Sequence, residues 1–342
     1  MTVSNFWSNY EVKANNYEEL HNHISSVSNM ARKQSRIIVW RGQINADWPL
    51  TSKLYREFKK NNPRRITEKA FSKIEQEILV ELRRWGLHSQ KNGGRLSVLS
   101  QLAILQHFGT PTRLIDITFN ALVGAFFATE YSENEEKNDG RLFAIDITDR
   151  LINENKSLRD WEDSLDTPWS DSFKKSQFQA VKRNRMIVNE NEYMSNWDYE
   201  WTSHYYAWKP PALDARIAAQ NGGFIFGGVV GSVMREGYID YTKKQSQGSF
   251  QIANPNAKLD GKDWLSIDKV RDLTCLAIKP QSIPSSSMRK NTKNAVYSIK
   301  ISSNAKKNIR EHLNNIYGYT HANIYPDFPG FSSHGVTKIL DK

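Results

Sequence analysis

Residues 101–128 read QLAILQHFGTPTRLIDITFNALVGAFFA, and their order sets the fold class. An apolar helical pattern runs into a Gly109-x-Pro111 corner, a short β-branched run follows, and a second apolar helix starts behind Asn120. Asparagine at that place can cap the helix by accepting a backbone N–H. His107, Thr110, Thr112, Arg113, Asp116 and Thr118 crowd into twelve positions around the corner. Polar groups bunched between two apolar runs need partners or a ligand, because a buried donor or acceptor left unpaired is costly. Two readings are open: an Arg–Asp pair with a helix cap holding a turn, or a binding site.

Outward from this stretch the same mixture continues. Residues 17–33 carry Leu20, Ile24, Val27 and Met30 at helical spacing, and Ile37 to Trp40 read as a buried strand. Residues 67–85 form an amphipathic helix through Ala70, Phe71, Ile74, Ile78, Leu82 and Trp85. Strands are expected over 141–148, in FIFGGVV (224–230), over 273–280 and over 295–301, with helices opened by Lys209-Pro-Pro211 and over 305–316. Helices and strands without a steady βαβ alternation predict an α+β domain built on a mixed sheet. It would occupy residues 36–342, behind an N-terminal helical segment (1–35), with a polar insertion of short helices and loops at about 149–208.

Composition narrows the class. With 342 residues, 39% hydrophobic and 25% charged, the chain can bury a real core. The longest apolar run, Ala121–Ala128, is far short of the ~20 residues a membrane helix needs, and the start of the chain lacks a signal-peptide pattern. The expected setting is cytoplasmic, with no membrane partner. The single cysteine, Cys275, forbids an intramolecular disulfide, and no metal-ligand spacing is present, so no metal is expected. The net charge is +10, from 47 basic and 37 acidic residues. Its carriers cluster at Arg56–Arg65, Lys174–Arg185 and Arg289–Arg310, partly beside aromatics such as Tyr55, Phe58, Phe173 and Phe178. Such clusters suit a polyanion, and they also occur as a solvated Lys-rich surface.

Three constellations carry candidate chemistry. Trp40-Arg41-Gly42-Gln43 ends a buried strand: the Arg keeps its charge and needs a carboxylate or an anion, Gly42 lets a ligand near the backbone, and Trp40 offers a stacking face. In the 107–118 cluster, His107 can move a proton, Thr112 and Thr118 can bond phosphate or ribose oxygens, and Asp116 is a base or the partner of Arg113 or Arg41. Arg216 and Gln220 share a helical face before Asn221-Gly-Gly223. Glu190 and Glu192 form a carboxylate pair in the polar insertion without an apolar frame. No Gly-x-Gly-x-x-Gly, Walker loop, His-Glu-x-x-His or Gly-x-Ser-x-Gly pattern occurs.

Together these segments resemble the FRG domain family, named for its aromatic-Arg-Gly motif. Trp40-Arg41-Gly42 is similar to that motif. Gln106-His107-x-Gly109-x-Pro111-Thr112-Arg113-Leu114-x-Asp116-x-Thr118, followed by Ala121 and Phe127-Ala128, resembles the family's longest signature. Arg216-Ile217-x-x-Gln220-x-Gly222-x-Phe224 and Tyr325-Pro326-Asp327 with Gly330 resemble its later segments. Ile117 departs from the pattern, which has an aromatic there.

A weaker likeness is to ADP-ribosyltransferases, through an aromatic-Arg-Gly strand, a Thr/Ser-rich strand and an Ala-x-x-Phe-Ala helix. It implies a sheet core of that type and NAD as substrate. Trp40, Arg41, Gly42, Gln43, Thr112, Arg113, Thr118 and Arg216 would hold the NAD, and Asp116, His107 and Gln220 would serve catalysis. A Gln stands in the third segment, so Asp116, Glu236 or Glu192 would supply the negative charge. The implied function is a toxin or phage-defence effector that modifies nucleic acid, RNA foremost, with an inhibitory antitoxin protein as a possible partner. A non-catalytic nucleotide- or nucleic-acid-binding module and a nuclease are the alternatives.

Overall fold

The computed structural model describes residues 2–62, 66–89, 94–154, 204–211, 214–230, 267–283 and 295–336. Eight strands form one mixed sheet: β1 (Glu11–Ala14), β2 (Ile38–Gln43), β3 (Ile115–Thr118), β4 (Gly140–Asp146), β5 (Tyr205–Trp208), β6 (Gly222–Gly227), β7 (Lys279–Pro280) and β8 (Ala295–Ile301). Their spatial order is β1-β8-β4-β2-β3-β6-β5, and β7 runs beside β8. All neighbours are antiparallel except β1–β8 and β7–β8. An α+β fold on a mixed, open sheet is the outcome.

Side-chain alternation sorts the sheet's two faces. Val39, Phe143, Ile145 and Val296 join one apolar cluster, while Trp40, Leu142, Ala144, Tyr297 and Ile299 join the other. The second face is covered by α2 (Tyr17–Lys33) and α6 (Ala121–Thr129), capped by the side chains of Asn16 and Asn120, and by α9 (Ser303–Asn315). The first face receives α1 (Val3–Trp7), α3 (Lys53–Asn61) and α8 (Ile267–Leu273). The helix α4 (Glu68–Arg84), capped by Thr67, lays Phe71 on that face and Leu79 in a third cluster with α5 (Val98–His107). Short helices α7 (Ala215–Ala219), α10 (His321–Ile324) and α11 (Phe328–Gly330), with a 3-10 turn at Ile152–Glu154 and a π-helical turn at Phe331–Gly335, complete the described elements.

Three expectations change. Residues 1–35 are not a separate helical segment, since β1 extends the sheet and Trp7 packs on Phe143 at 5.1 Å. The span at 149–208 ends in β5, a fully buried sheet strand; residues 155–203, with Glu190 and Glu192, lie outside the described residues. Residues 273–280 are not one strand. They leave the end of α8, make a single bridge between Thr274 and Leu50, and pair only at the two residues of β7.

One junction in the sheet is incomplete. β2 pairs with β4 along its whole length, and β3 pairs with β6 along its whole length, yet β2 and β3 meet in register only at Trp40–Thr118. Beyond that rung the two strands part.

Candidate functional site

The gap between the parting strands is a cleft of about 400 Å³. Residues 40–44 of β2 and its exit form one wall, and Asp116, Ile117 and Thr118 of β3 form the other. The remaining walls come from α5 (Ala103, Gln106, His107), from the end of α6 (Phe127, Glu130), from the region of α7 and from Tyr325. Trp48, 42% exposed, also lines it.

On β2, Arg41 bridges the gap. Its Nη1 donates to the backbone carbonyl of Asp116 at 2.7 Å, taking the place of a missing ladder bond, and lies 4.0 Å from the Asp116 carboxylate. Its Nε is buried and has no hydrogen-bond partner. Burial lowers the Arg41 pKa, and Asp116 offsets this only in part. Gln43 donates to the Pro49 carbonyl at 3.2 Å while its Oε1 is likewise buried and bare. Trp40 lines the cleft but is only 4% exposed, which leaves little ring face for a ligand to stack on. Gly42 also differs from expectation. A Cβ there would meet the Gly124 carbonyl at 2.1 Å and the Ala128 nitrogen at 2.4 Å, so the glycine is required by the close approach of α6.

The 107–118 cluster divides in two. Gly109 turns the chain with φ +87°, the left-handed region glycine favours. Arg113 points away from the cleft, into the protein. It is 2% exposed and bonds Glu75 and Glu68 of α4 and the Gly227 carbonyl (2.9 Å), with its guanidinium 4.7 Å over the Phe71 ring. Arg113 is therefore a core ion pair, not a cofactor ligand, and its partner is not Asp116. Thr112 is buried, outside the cleft, and donates to Gln106, which in turn donates to Asp116 at 2.7 Å. It positions a cleft residue instead of touching a ligand. Thr118 lines the cleft but spends its hydroxyl on the Gln220 carbonyl at 2.7 Å. Asp116 is not enclosed between the apolar runs: its side chain is 69% exposed. His107 ends α5 with Nδ1 3.6 Å from Asp214 and Nε2 3.9 Å from Asp327.

Around α7 the expected pair is present. Arg216 donates to Asp327 at 2.7 Å and lies 5.0 Å over the Tyr325 ring, with its Nε buried and bare. Gln220 lines the cleft and donates to the Ile324 carbonyl at 3.1 Å. The Arg216 contact and the Gly330 N–H hold Asp327 below the usual carboxylate range against the opposing effect of burial.

Behind the cleft wall, Glu130, His321 and His334 bring three ligand-type atoms within 4.8 Å of one another. Sequence spacing gave no hint of this group. The two imidazoles stack at 4.2 Å and 12°, so the lone pairs in their ring planes run side by side and do not converge on one cation.

Unsatisfied atoms collect here. Among the described residues, the buried side-chain atoms without a hydrogen bond include Arg41 Nε, Gln43 Oε1, Glu130 Oε1, Arg216 Nε and Asp327 Oδ2, all at or beside the cleft. Each such atom costs ~1–3 kcal/mol, which a polar ligand in the cleft would recover. The basic clusters behave differently. Lys300 pairs with Asp139, Lys306 donates to the Ile44 and Glu135 carbonyls, and Arg310 pairs with Glu136. Lys59 pairs with Asp272. Residues 174–185, 289–293, Arg64, Arg65 and Glu236 lie outside the described residues. No described helix is long and apolar enough to cross a membrane.

Sequence reasoning missed Gln106 as a site residue, along with Glu130, Asp214 and Tyr325. Gln106 stands one place before His107, and Glu130 is the first charge after the apolar helix α6, a signal that was readable. Compared with known proteins, residues 36–137 match the FRG domain model, so the chain carries an FRG domain. The match stops short of the segments around Arg216 and Tyr325. No curated protein and no solved structure matches the chain.

Proposed function

From a chain that carries an FRG domain, we propose an NAD-dependent ADP-ribosyltransferase that modifies nucleic acid, RNA foremost, acting as a toxin or phage-defence effector. The observation that carries the reading is the cleft at the β2–β3 parting, with Arg41 bridging it and holding a bare N–H. Arginine keeps its charge and matches a pyrophosphate through planar paired donors. A volume of about 400 Å³ falls in the ~300–1,000 Å³ range of small-molecule sites. Gln43, Gln220 and Arg216 supply further polar groups for ribose and amide recognition. An acceptor with bases suits the rim. Phe108 and Phe328, each next in sequence to one partner of the His107–Asp327 contact, are 76% and 91% exposed and offer faces for stacking.

The test is incubation of the purified chain with NAD labelled in the adenylate moiety and with total RNA, DNA or protein. Label is expected in nucleic acid, with nicotinamide released, and Arg41→Ala is expected to abolish both. NAD left intact overturns the transferase reading. Shortened RNA without NAD consumption would instead indicate a nuclease, and NAD binding without turnover a regulatory module.

A further inference from the structure

We propose that Glu130 is the catalytic carboxylate of this cleft, the group that takes the acceptor's proton; the assignment rests on the transfer reading above. Glu130 is the first residue beyond α6, and its side chain lines the cleft. One oxygen is anchored: Oε2 accepts from the Tyr325 hydroxyl at 3.1 Å. The other is bare. Oε1 is buried without a hydrogen bond, although the Nε2 atoms of His321 and His334 lie 3.3 Å and 3.9 Å away.

The other carboxylates at the cleft are already committed. Asp116 is largely solvated and receives Gln106. Asp214 caps α7 by accepting the Ile217 N–H at 2.8 Å. Asp327 holds Arg216 and the Gly330 N–H through Oδ1, and it stands beside the cleft instead of lining it. Among the described residues that line the cleft, Glu130 is the carboxylate with one anchored oxygen and a second that is buried without a hydrogen bond.

Its mounting is stiff. The Tyr325 ring lies 4.9 Å from that of His334, and His334 stacks on His321, so the hydroxyl that anchors Oε2 belongs to a three-ring stack. Tyr325 is thus a positioning residue acting through Glu130. In the reaction, the bond from nicotinamide nitrogen to ribose C1′ breaks, and its electron pair leaves with nicotinamide. A hydroxyl or amine of the nucleic acid forms the new bond to C1′, and its proton passes to Glu130 Oε1. Before that step the carboxylate's charge also favours the oxocarbenium-like centre.

The decisive experiment compares Glu130→Gln with the wild type in the labelled-NAD assay, with thermal melting and NAD binding by calorimetry alongside. Glu130→Gln is expected to melt normally, bind NAD normally and lose ~10²–10⁴-fold in transfer rate, the worth of a positioned proton acceptor. Tyr325→Phe is expected to lose about fivefold in kcat at unchanged KM for NAD, the worth of one hydrogen bond. If Glu130→Gln does not fold, Glu130→Asp, which keeps the charge beside the imidazoles, takes its place with a rate loss expected. Either folded variant turning over at the wild-type rate overturns the assignment and leaves the NAD reading standing. Loss of NAD binding in Glu130→Gln also overturns it, in favour of a binding role. A wild-type protein that leaves NAD intact overturns both.

Discussion

Arg41 and Arg113 both flank the β2–β3 region and meet opposite fates. Arg113 faces two carboxylates, a carbonyl and an aromatic ring, all within the core. Burial alone would lower its pKa, but Glu68 and Glu75 outweigh that and raise it. Arg41 faces one carbonyl and a distant, solvated carboxylate, and its pKa is lowered. The first guanidinium is saturated by the fold, while the second is left short of partners. Identical residue types within one family signature thus serve as a bolt in one case and a socket in the other. Counting the acceptors around each separates them.

This contrast can be broken most directly at Arg113. Arg113→Ala leaves Glu75, 0% exposed, without its cation, and is expected to destabilise by ~3–5 kcal/mol in denaturant unfolding. A wild-type midpoint would mean that Arg113 is not the bolt. Gly42→Ala comes next. Its methyl would strike the backbone of α6, and overpacking of this kind costs ~1–3 kcal/mol, more where backbone must move. An unaffected melting curve would show that α6 can retreat from the sheet. Arg41→Ala is expected to change stability by no more than ~1 kcal/mol, since it gives up one hydrogen bond and removes an unsatisfied buried donor. The same variant should lose ligand binding by calorimetry, and a large loss of stability instead would make Arg41 a second bolt.

The smallest expected effect concerns His334. Burial and the neighbouring His321 hold its pKa below the ordinary value of 6.5, against the opposing pull of Glu130. With the folded pKa depressed, its contribution to stability is full above 6.5 and declines as pH falls toward the folded value. His334→Gln should flatten the fall in melting temperature below that pH, and an unchanged slope would assign the dependence to other groups.

Much of the frame was legible because its signals are local. Thr67 and Asn120 cap the helices they were expected to begin, and the β-branched run at 37–40 is the start of β2. The partnership of Arg113 was not legible, because Glu75 lies 38 residues away on another helix. A trace of it existed: Phe71, Glu75 and Leu79 recur at helical spacing, so a carboxylate occupies the buried stripe of α4. The basic run near 300–310 misled for the opposite reason. Composition counts charges, whereas Lys306 and Arg310 tie α9 to the carbonyls of Ile44, Glu135 and Thr129. Residues 205–208 hid inside a polar stretch because four residues are too short for a periodic pattern to declare itself. Of the cleft, sequence identified the β2, α5, β3 and α7 walls, and missed the wall that Glu130 and Tyr325 build together.

The single rung between β2 and β3 also bears on how the molecule comes into being. Among the described residues, the stretch matching the FRG domain contains those two strands, while their other neighbours, β4 and β6, lie downstream. An emerging chain that has reached residue 137 therefore carries two open strand edges, a template for pairing with other chains until they are covered. Tyr325 and His334 leave the ribosome roughly ten to forty seconds later, at ~5–20 residues per second. Until then the cleft has no back wall. The cleft is therefore closed only after residues 325–334 have been made, long after β2 and β3, so the order of the sequence itself acts as a timer.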